Sequence, residues 1–380
     1  MRLIMKIIVA PDSFKNSMTA KVATEHIVAG LTKARPNLDC VPLPIADGGE
    51  GTMVVLMSHL GGSTHTLEVE DALGRSIKAQ FGMTKDQKTA VIDMASASGI
   101  EHLKTAELDA MKTSTFGTGQ LIKACLQYGP EKIFIGVGGS ATNDGGVGAA
   151  MALGYQFLDG QGESIQLGNV GLKDLEKIVK PRNMSSIPPI FVLNDVGNPL
   201  LGEKGASKIF GPQKGATPEN VIELENNLKH LSKIVQKKLH TNYANDWGTG
   251  GAGGLSYGLK SFFNAELDSG IDKVLEISQF EKLCQDANYV ITGEGSFDTQ
   301  SRNGKVPFGV ASACLKWNPS CQVIVLAGKI APNLTNLPKN IQLVKNINDE
   351  VPIDKRTLQN GSVNIQETAR WLATDYLPEK

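Results

Sequence analysis

The stretch Gly136-Val-Gly-Gly-Ser-Ala-Thr-Asn-Asp-Gly-Gly-Val-Gly148 follows the apolar run Lys132-Ile-Phe-Ile135 and precedes the small-residue run Ala149-Ala-Met-Ala-Leu153. The natural reading is a strand, a glycine-rich loop and a helix. Glycine has no Cβ, so the backbone N–H groups of such a loop can approach an anion closely. The N-terminus of the following helix adds partial positive charge. This arrangement predicts phosphate binding, and with it a nucleotide or a phosphorylated ligand.

Elements on both sides of the loop extend the pattern. Lys6-Ile-Ile-Val-Ala10 reads as a buried strand stopped by Pro11-Asp12-Ser13. Thr19 caps a helix to about Lys33, with Ala20, Ala23, Ile27 and Leu31 on one face. A strand at Asp39–Leu43, a loop at Gly48–Gly51 and a helix from Thr52 to Leu60 follow. This βαβα order predicts a parallel sheet flanked by helices. From Thr64 to Asp93 the runs Thr66–Val69, Ile77–Phe81 and Ala90–Asp93 are short and alternating, as antiparallel strands are. Thr217 and Pro218 start an amphipathic helix carrying Val221, Leu224, Leu228, Leu231 and Val235. The parallel pattern returns with strands at Tyr289–Thr292, Gln322–Leu326 and Gln342–Lys345 and helices at Val306–Lys316 and Thr368–Tyr376. The expected fold is α/β with two domains. A Rossmann-like parallel-sheet domain is built from both chain ends (residues 1–62 and 285–380), and a mixed α+β domain is inserted between them (residues 63–284). The expected active site is a cleft between the two.

At 380 residues the chain exceeds one ordinary core, and its 41 glycines are well above average usage. A net charge of −1 argues against nucleic acid or an anionic membrane as partner. Cys40, Cys125, Cys284, Cys314 and Cys321 are scattered and form no CxxC pair, so neither a disulfide framework nor a zinc knuckle is expected. Free thiols, no secretory h-region and no apolar run of membrane-span length point to a cytoplasmic protein.

Candidate chemistry lies in glycine loops and acids that follow predicted strands, where open α/β sheets bind ligands. Ser13 and Lys15 suit a carboxylate or phosphate; the plainer reading is a turn and a helix cap. Asp47 and Glu50, set among glycines, suit Mg²⁺, which prefers carboxylate oxygens. In the opening loop, Ser140, Thr142, Asn143 and Asp144 stand among Gly138, Gly139 and their neighbours. Asp195 after Ile190–Leu193 suits a metal ligand or general base, or equally an Asx turn before proline. Lys214 in Phe210–Ala216 suits a phosphate or simply water. Glu294 and Asp298 follow a strand, and Arg302 and Lys305 precede a helix. Acids for a metal and cations for phosphate oxygens are what phosphoryl transfer requires. A dinucleotide loop competes, because Gly136 to Ala141 fits G-x-G-x-x-A and Asp159 lies near the distance of a ribose-binding acid. There is no P-loop signature and no G-x-S-x-G elbow.

In order along the chain, these segments resemble the type I glycerate kinase family. The resemblance runs from Lys6 to about Leu372. It rests on Pro11-Asp-Ser-Phe-Lys-Asn-Ser17, Asp47-Gly-Gly-Glu-Gly-Thr52 and Ser114-Thr-Phe-Gly-Thr-Gly-Gln120. To these it adds Gly138-Gly-Ser-Ala-Thr-Asn-Asp-Gly-Gly146, Phe210-Gly-Pro-Gln-Lys-Gly-Ala216 and Thr292-Gly-Glu-Gly-Ser-Phe-Asp-Thr-Gln-Ser301 with Gly304-Lys305. Asn194 and Gly197 stand where Cys and Asp are expected, and Ser296-Phe297 where Arg-Ile is common; neither departure removes an acid or lysine of interest. The resemblance implies ATP-dependent, Mg²⁺-assisted phosphorylation of D-glycerate, with 2-phosphoglycerate the usual product and 3-phosphoglycerate the other. A homodimer is a candidate assembly. On this reading Gly138, Gly139, Ser140, Thr142, Asn143, Asp144 and Lys214 hold the nucleotide, and Lys305 holds phosphate. Asp47, Asp195 and Glu294 organise Mg²⁺, and Asp195 or Asp298 takes the hydroxyl proton. Ser13, Lys15, Arg75 and Asp47 bind the substrate. Two other classes stand beside it: an NAD(P)-dependent oxidoreductase using the Gly136–Ala141 loop, and a non-catalytic sensor of glycerate or nucleotide.

Overall fold

A computed structural model describes residues 5–182, 187–298, 305–332, 334–348 and 354–378. The chain divides into two compact units. Unit 1 takes the chain ends, up to Asp47 and from Ile271 on; unit 2 is Gly48–Gly270. Strands β1 (Lys6–Val9) and β2 (Asp39–Pro42) open unit 1. Unit 2 holds β3 (Gly62–Glu70), β4 (Ser76–Thr84), β5 (Thr89–Asp93), β6 (Lys132–Gly136), β7 (Gln156–Leu158), β8 (Lys177–Val179), β9 (Ile190–Leu193) and β10 (Glu266–Asp268). Strands β11 (Tyr289–Phe297), β12 (Gln322–Ile330) and β13 (Ile341–Asn346) return to unit 1.

The unit 1 sheet has the order β13-β12-β11-β1-β2, and every pairing is parallel. Counted within the unit this is 2-1-3-4-5, a doubly wound order whose direction reverses between β1 and β11. Ile7, Val9, Ile291, Ile324 and Leu326 line one face with Ile27, Leu31, Ile365 and Ala369 of helices Ala20–Ala34 and Gly361–Trp371. Those helices cross closely at Gly30, where a Cβ would come within 2.3 Å of Gln366 O. Helix Val306–Trp317 packs on β11 and β12.

The main sheet of unit 2 has the order β10-β9-β6-β5-β4-β3. Strands β10, β9, β6 and β5 are parallel; β4 adds antiparallel to β5, and β3 antiparallel to β4. The alternating runs between Thr64 and Asp93 therefore form the antiparallel part. Helix Pro218–Leu239 starts at Thr217, whose hydroxyl accepts from Asn220 N–H, and buries Leu224, Leu228, Leu231 and Val235.

The units divide at 47/48 and 270/271, where the sequence predicts 62/63 and 284/285. The reason is packing that is remote in sequence. Helix Thr52–Leu60 lays Met53 and Met57 over Gly82 of β4, where a Cβ would come within 2.5 Å of Met57 Cγ. Ile271 similarly fills the space over Gly309 of helix Val306–Trp317, 2.3 Å from where a Cβ would stand. A second difference is the length of β11. It runs through Gly293–Phe297, where the sequence predicts a loop, because β12 pairs with it as far as Phe297↔Ile330. Gly293 permits this, since a Cβ there would meet Leu326 O at 2.3 Å. Among the described residues no helix is long and apolar enough to cross a membrane.

Candidate functional site

In unit 1 the reversal of strand order sets the ends of β1 and β11 side by side. The Asp12 N–H donates to Gly293 O at 2.9 Å, locking the Pro11–Ser17 turn against β11. Ser13 N–H donates to Asp12 Oδ1 at 2.6 Å, and Lys15 is exposed, its amide nitrogen 3.1 Å from where a Cβ on Gly295 would stand. Glu294 is buried in β11, with 4 % of its surface exposed. Lys305, at the start of helix Val306–Trp317, places Nζ 3.5 Å from Glu294 Oε2 and 4.0 Å from Asp298 Oδ1. Asp12 is held well above the usual carboxylate range. Burial is the main cause, and the charges of Asp47 and Glu294 add to it against the Ser13 N–H and Lys15. Unit 1 thus gathers Asp47, Glu294, Asp298, Lys305, Ser13 and Lys15 of the expected residues, and adds Asp12. Arg302 lies outside the described residues.

In unit 2 the two glycine loops abut at the carboxyl ends of β5, β6 and β9. Gly138 N–H donates to Gly48 O at 3.2 Å, and a Cβ on Gly138 would come within 2.4 Å of Gly49 Cα. Asp93, the last residue of β5, accepts from Gly51 N–H and Met53 N–H, both at 2.9 Å, and so anchors the N-terminus of helix Thr52–Leu60. Burial pushes its carboxyl up to about 7, with Glu50 adding to the rise and the two N–H groups opposing it. Glu101 is also pushed up to about 7, first by burial and then by its hydrogen bond to Glu50 and the charges of Glu50 and Asp93. Asp195 follows β9 and accepts from Ser269 Oγ at 3.2 Å. Its neighbour Asn194 makes the Asx turn, accepting from Val196 N–H at 3.1 Å while its amide donates to Gly248 O at 2.8 Å.

The central loop uses its polar side chains internally. Thr142, Asn143 and Asp144 have no exposed surface. Asp144 Oδ2 accepts from Thr115 N–H at 2.8 Å and Thr115 Oγ1 at 2.9 Å, and Gly146 and Gly148 N–H also bond this carboxylate. Thr142 Oγ1 donates to Ala252 O, and Asn143 Oδ1 accepts from Ser207 Oγ. Lys214, 2 % exposed, donates from Nζ to Ser140 Oγ and Thr142 O, both at 2.7 Å. Burial brings its ammonium down to about 7, against the pull of Asp144. These side chains hold the loop, while Gly138 and Gly139 form its solvent-facing part. Arg75 is engaged by Asp71 Oδ2 at 2.6 Å and Glu107 Oε1 at 2.9 Å.

Asp93, Glu101 and Asp12 are not among the residues that the sequence marks for a role. Each of the two aspartates ends or follows a strand, which is the signal that identified Asp195. Glu101 carries no such signal, since only folding brings it to Glu50.

Asp93 makes a pH-dependent contribution. Its unfolded value is near 3.8, so between about pH 4 and pH 7 the folded chain holds a proton that the unfolded chain does not. Stability from this group is full below that window and is lost as the pH rises through it. A shift of about three units corresponds to roughly 4 kcal/mol. In Asp93→Asn, the melting temperature relative to the parent is expected to climb from pH 4 to pH 8. Parallel curves across that range would remove Asp93 as a buried titrating group.

Comparison with known proteins agrees with this architecture. The family model described as the glycerate kinase family matches residues 7–377. A glycerate kinase of Haemophilus influenzae is 40 % identical over 380 residues, covering 97 % of this chain and 99 % of that protein. The glycerate 2-kinase of Escherichia coli K12 is 41 % identical over 334 residues, covering 87 % of each. A crystal structure from Salmonella typhimurium LT2, provisionally named glycerate kinase 2, superposes with a TM-score of 0.82 at 39 % identity over 97 % of both chains. Matched over nearly its whole length in sequence and in fold, this chain belongs to the glycerate kinase family.

Proposed function

We propose that this protein transfers the γ-phosphoryl group of ATP to the C2 hydroxyl of D-glycerate, with Mg²⁺, giving 2-phosphoglycerate. The observation that carries this reading is the crowding of Asp12, Asp47 and Glu294 in unit 1, with Lys305 beside Glu294 and Asp298. A carboxyl whose ionisation is made costlier by burial and by two acids beside it fits a hard divalent cation with oxygen ligands. When bound there, Mg²⁺ supplies neutralisation of charge on the transferring phosphoryl oxygens. Family membership supports the kinase chemistry, and the name of the Escherichia coli relative supports C2 as the acceptor.

The chain's own groups have separable tasks in this proposal. Lys305 carries the positive charge for phosphate oxygens, held in place by Glu294 and Asp298. Asp298, or Asp195 in unit 2, accepts the hydroxyl proton. Ser13 and the exposed Lys15 receive the glycerate carboxylate, whereas Arg75 already serves two acids. In unit 2 the backbone of Gly138–Ser140 faces phosphate, with Thr142, Asn143, Asp144 and Lys214 setting its shape.

The test is ADP release from Mg·ATP with D-glycerate, against L-glycerate and no-substrate controls, followed by phosphorus NMR of the product. D-glycerate-dependent release with phosphate on C2 is expected. Phosphate on C3 would overturn the regiochemistry. Stabilisation by NADH with no ATP consumed would favour the dinucleotide reading, and binding without turnover would favour a sensor.

A further inference from the structure

Folding brings together three cysteines that sequence spacing keeps apart. Cys284 ends helix Phe280–Cys284, Cys314 lies in helix Val306–Trp317, and Cys321 sits in the turn before β12. Their Sγ atoms all lie within 4.8 Å of one another, and Cys284 and Cys314 approach to 3.8 Å. All three are buried, at 0 %, 0 % and 1 % exposure. A lone buried cysteine is a small apolar residue and needs no further account. Three sulfurs from three segments, converging on one point, are a different arrangement.

The convergence is built, because one buried residue ties the backbone at all three positions. Asn318 N–H donates to Cys314 O at 2.8 Å, and Asn318 O accepts from Cys321 N–H at 3.0 Å. The Asn318 amide donates to Cys284 O at 2.9 Å and to Ala287 O at 3.0 Å. Ser320 Oγ in turn donates to Asn318 Oδ1 at 2.6 Å, which orients that amide. Outer hydrogen bonds that fix donor positions are a feature of metal sites.

We propose that Cys284, Cys314 and Cys321 form a three-sulfur site for a soft metal ion of low coordination number, with Cu(I) the ion that fits. Thiolates select soft ions. A metal–sulfur bond of about 2.3 Å in a trigonal plane separates the sulfurs by about 4 Å, which the present spacing brackets. A closed zinc site takes four donors. Among the described residues no His, Asp or Glu joins the three sulfurs in the cluster. Binding replaces thiol protons. The site lies at the amino ends of β11 and β12, whereas Glu294 is five residues further along β11. That is about 17 Å at the rise of an extended strand, so the metal would not touch the acids of unit 1. Complete burial means that the ion enters during folding or through local opening.

The test uses the full-length, fully reduced protein under anaerobic conditions, titrated with Cu(I) in competition with bicinchoninate. One Cu(I) per chain is expected, with a near-ultraviolet thiolate-to-copper band, sulfur-only coordination by X-ray absorption and a raised melting temperature. Cys314→Ala and Cys321→Ser are each expected to lose at least about 100-fold in affinity, more than the loss of an outer-shell contact. Cys40→Ala and Cys125→Ala should bind as the parent does. Should a cluster variant fail to fold, alkylation rates of the parent with and without the metal answer the same question: bound Cu(I) slows the labelling of Cys284, Cys314 and Cys321 that follows local opening, and leaves the rates at Cys40 and Cys125 unchanged. The proposal is overturned by binding no tighter than to bicinchoninate or by protection centred on Cys40.

Discussion

Glu294→Gln is expected to lower kcat by about 10²–10³-fold, the range seen when one fixed charge-stabilising group is removed from an active site. The substitution keeps the volume of a side chain that is 4 % exposed in β11, so the strand and its pairing to β12 should survive. What disappears is a negative charge 3.5 Å from Lys305 Nζ and within reach of Asp12. If Glu294 helps to hold Mg²⁺, the variant should also need more free Mg²⁺ for half-maximal rate, while the KM for D-glycerate changes little. Lys305→Met should show a comparable loss of kcat with no change in the Mg²⁺ requirement. Within the same series, Asp195→Asn and Asp298→Asn identify the proton acceptor, because the true base alone loses the acid limb of the pH–rate profile. Near-normal turnover of Glu294→Gln at low Mg²⁺, with an unchanged far-ultraviolet spectrum, would remove the acid cluster of unit 1 from the mechanism.

Lys214→Met should act first on stability, at about 2–4 kcal/mol by urea unfolding at pH 8, because two buried acceptors lose their donor. Methionine matches the apolar stem, so the cavity contribution is small. Ser140 Oγ and Thr142 O, each 2.7 Å from Nζ, are left without it, and below about pH 7 Asp144 also loses its nearby positive charge. The pH dependence has a definite sign. The folded value is about 7 and the unfolded value 10.5, so stability from this group rises with pH across that window and is lost as pH falls through about 7. The deficit of the variant should therefore be larger at pH 9 than at pH 6. A weaker nucleotide interaction should accompany it, since the loop backbone is no longer held. A large kinetic defect with unchanged stability would instead mean that Lys214 reaches the phosphate directly, as the sequence alone allowed.

Much of the architecture was legible from local signals. Continuous apolar runs located β1 and β9, and a period-3.6 apolar pattern located helix Ala20–Ala34 with its Thr19 cap and helix Pro218–Leu239. Each of these elements is specified by its own residues. The acids of unit 1 were legible because parallel strands bring functional groups to their carboxyl ends. The ordered glycine motifs were legible because close backbone approach, as at Gly138 against Gly49, tolerates no side chain.

Other properties depend on residues far apart in the chain, and no local pattern encodes them. Burial turned Thr142, Asn143, Asp144 and Lys214 inward, although their composition equally suits a ligand-facing loop. The pairing of β11 with β12 made a strand of Gly293–Phe297, where glycine content reads as a turn. Asp12 acquires its raised carboxyl from burial first, and then from the charges of Asp47 and Glu294, which are 35 and 282 positions away in sequence. The three cysteines meet only because helices Phe280–Cys284 and Val306–Trp317 pack together and Asn318 binds their ends. Sequence by itself determined which elements form and which residue types stand at strand ends, since both follow from short-range sterics and apolar periodicity. Tertiary structure alone decided which of those residues face solvent, which face one another and which charges remain uncompensated, because burial and electrostatics depend on distances in space.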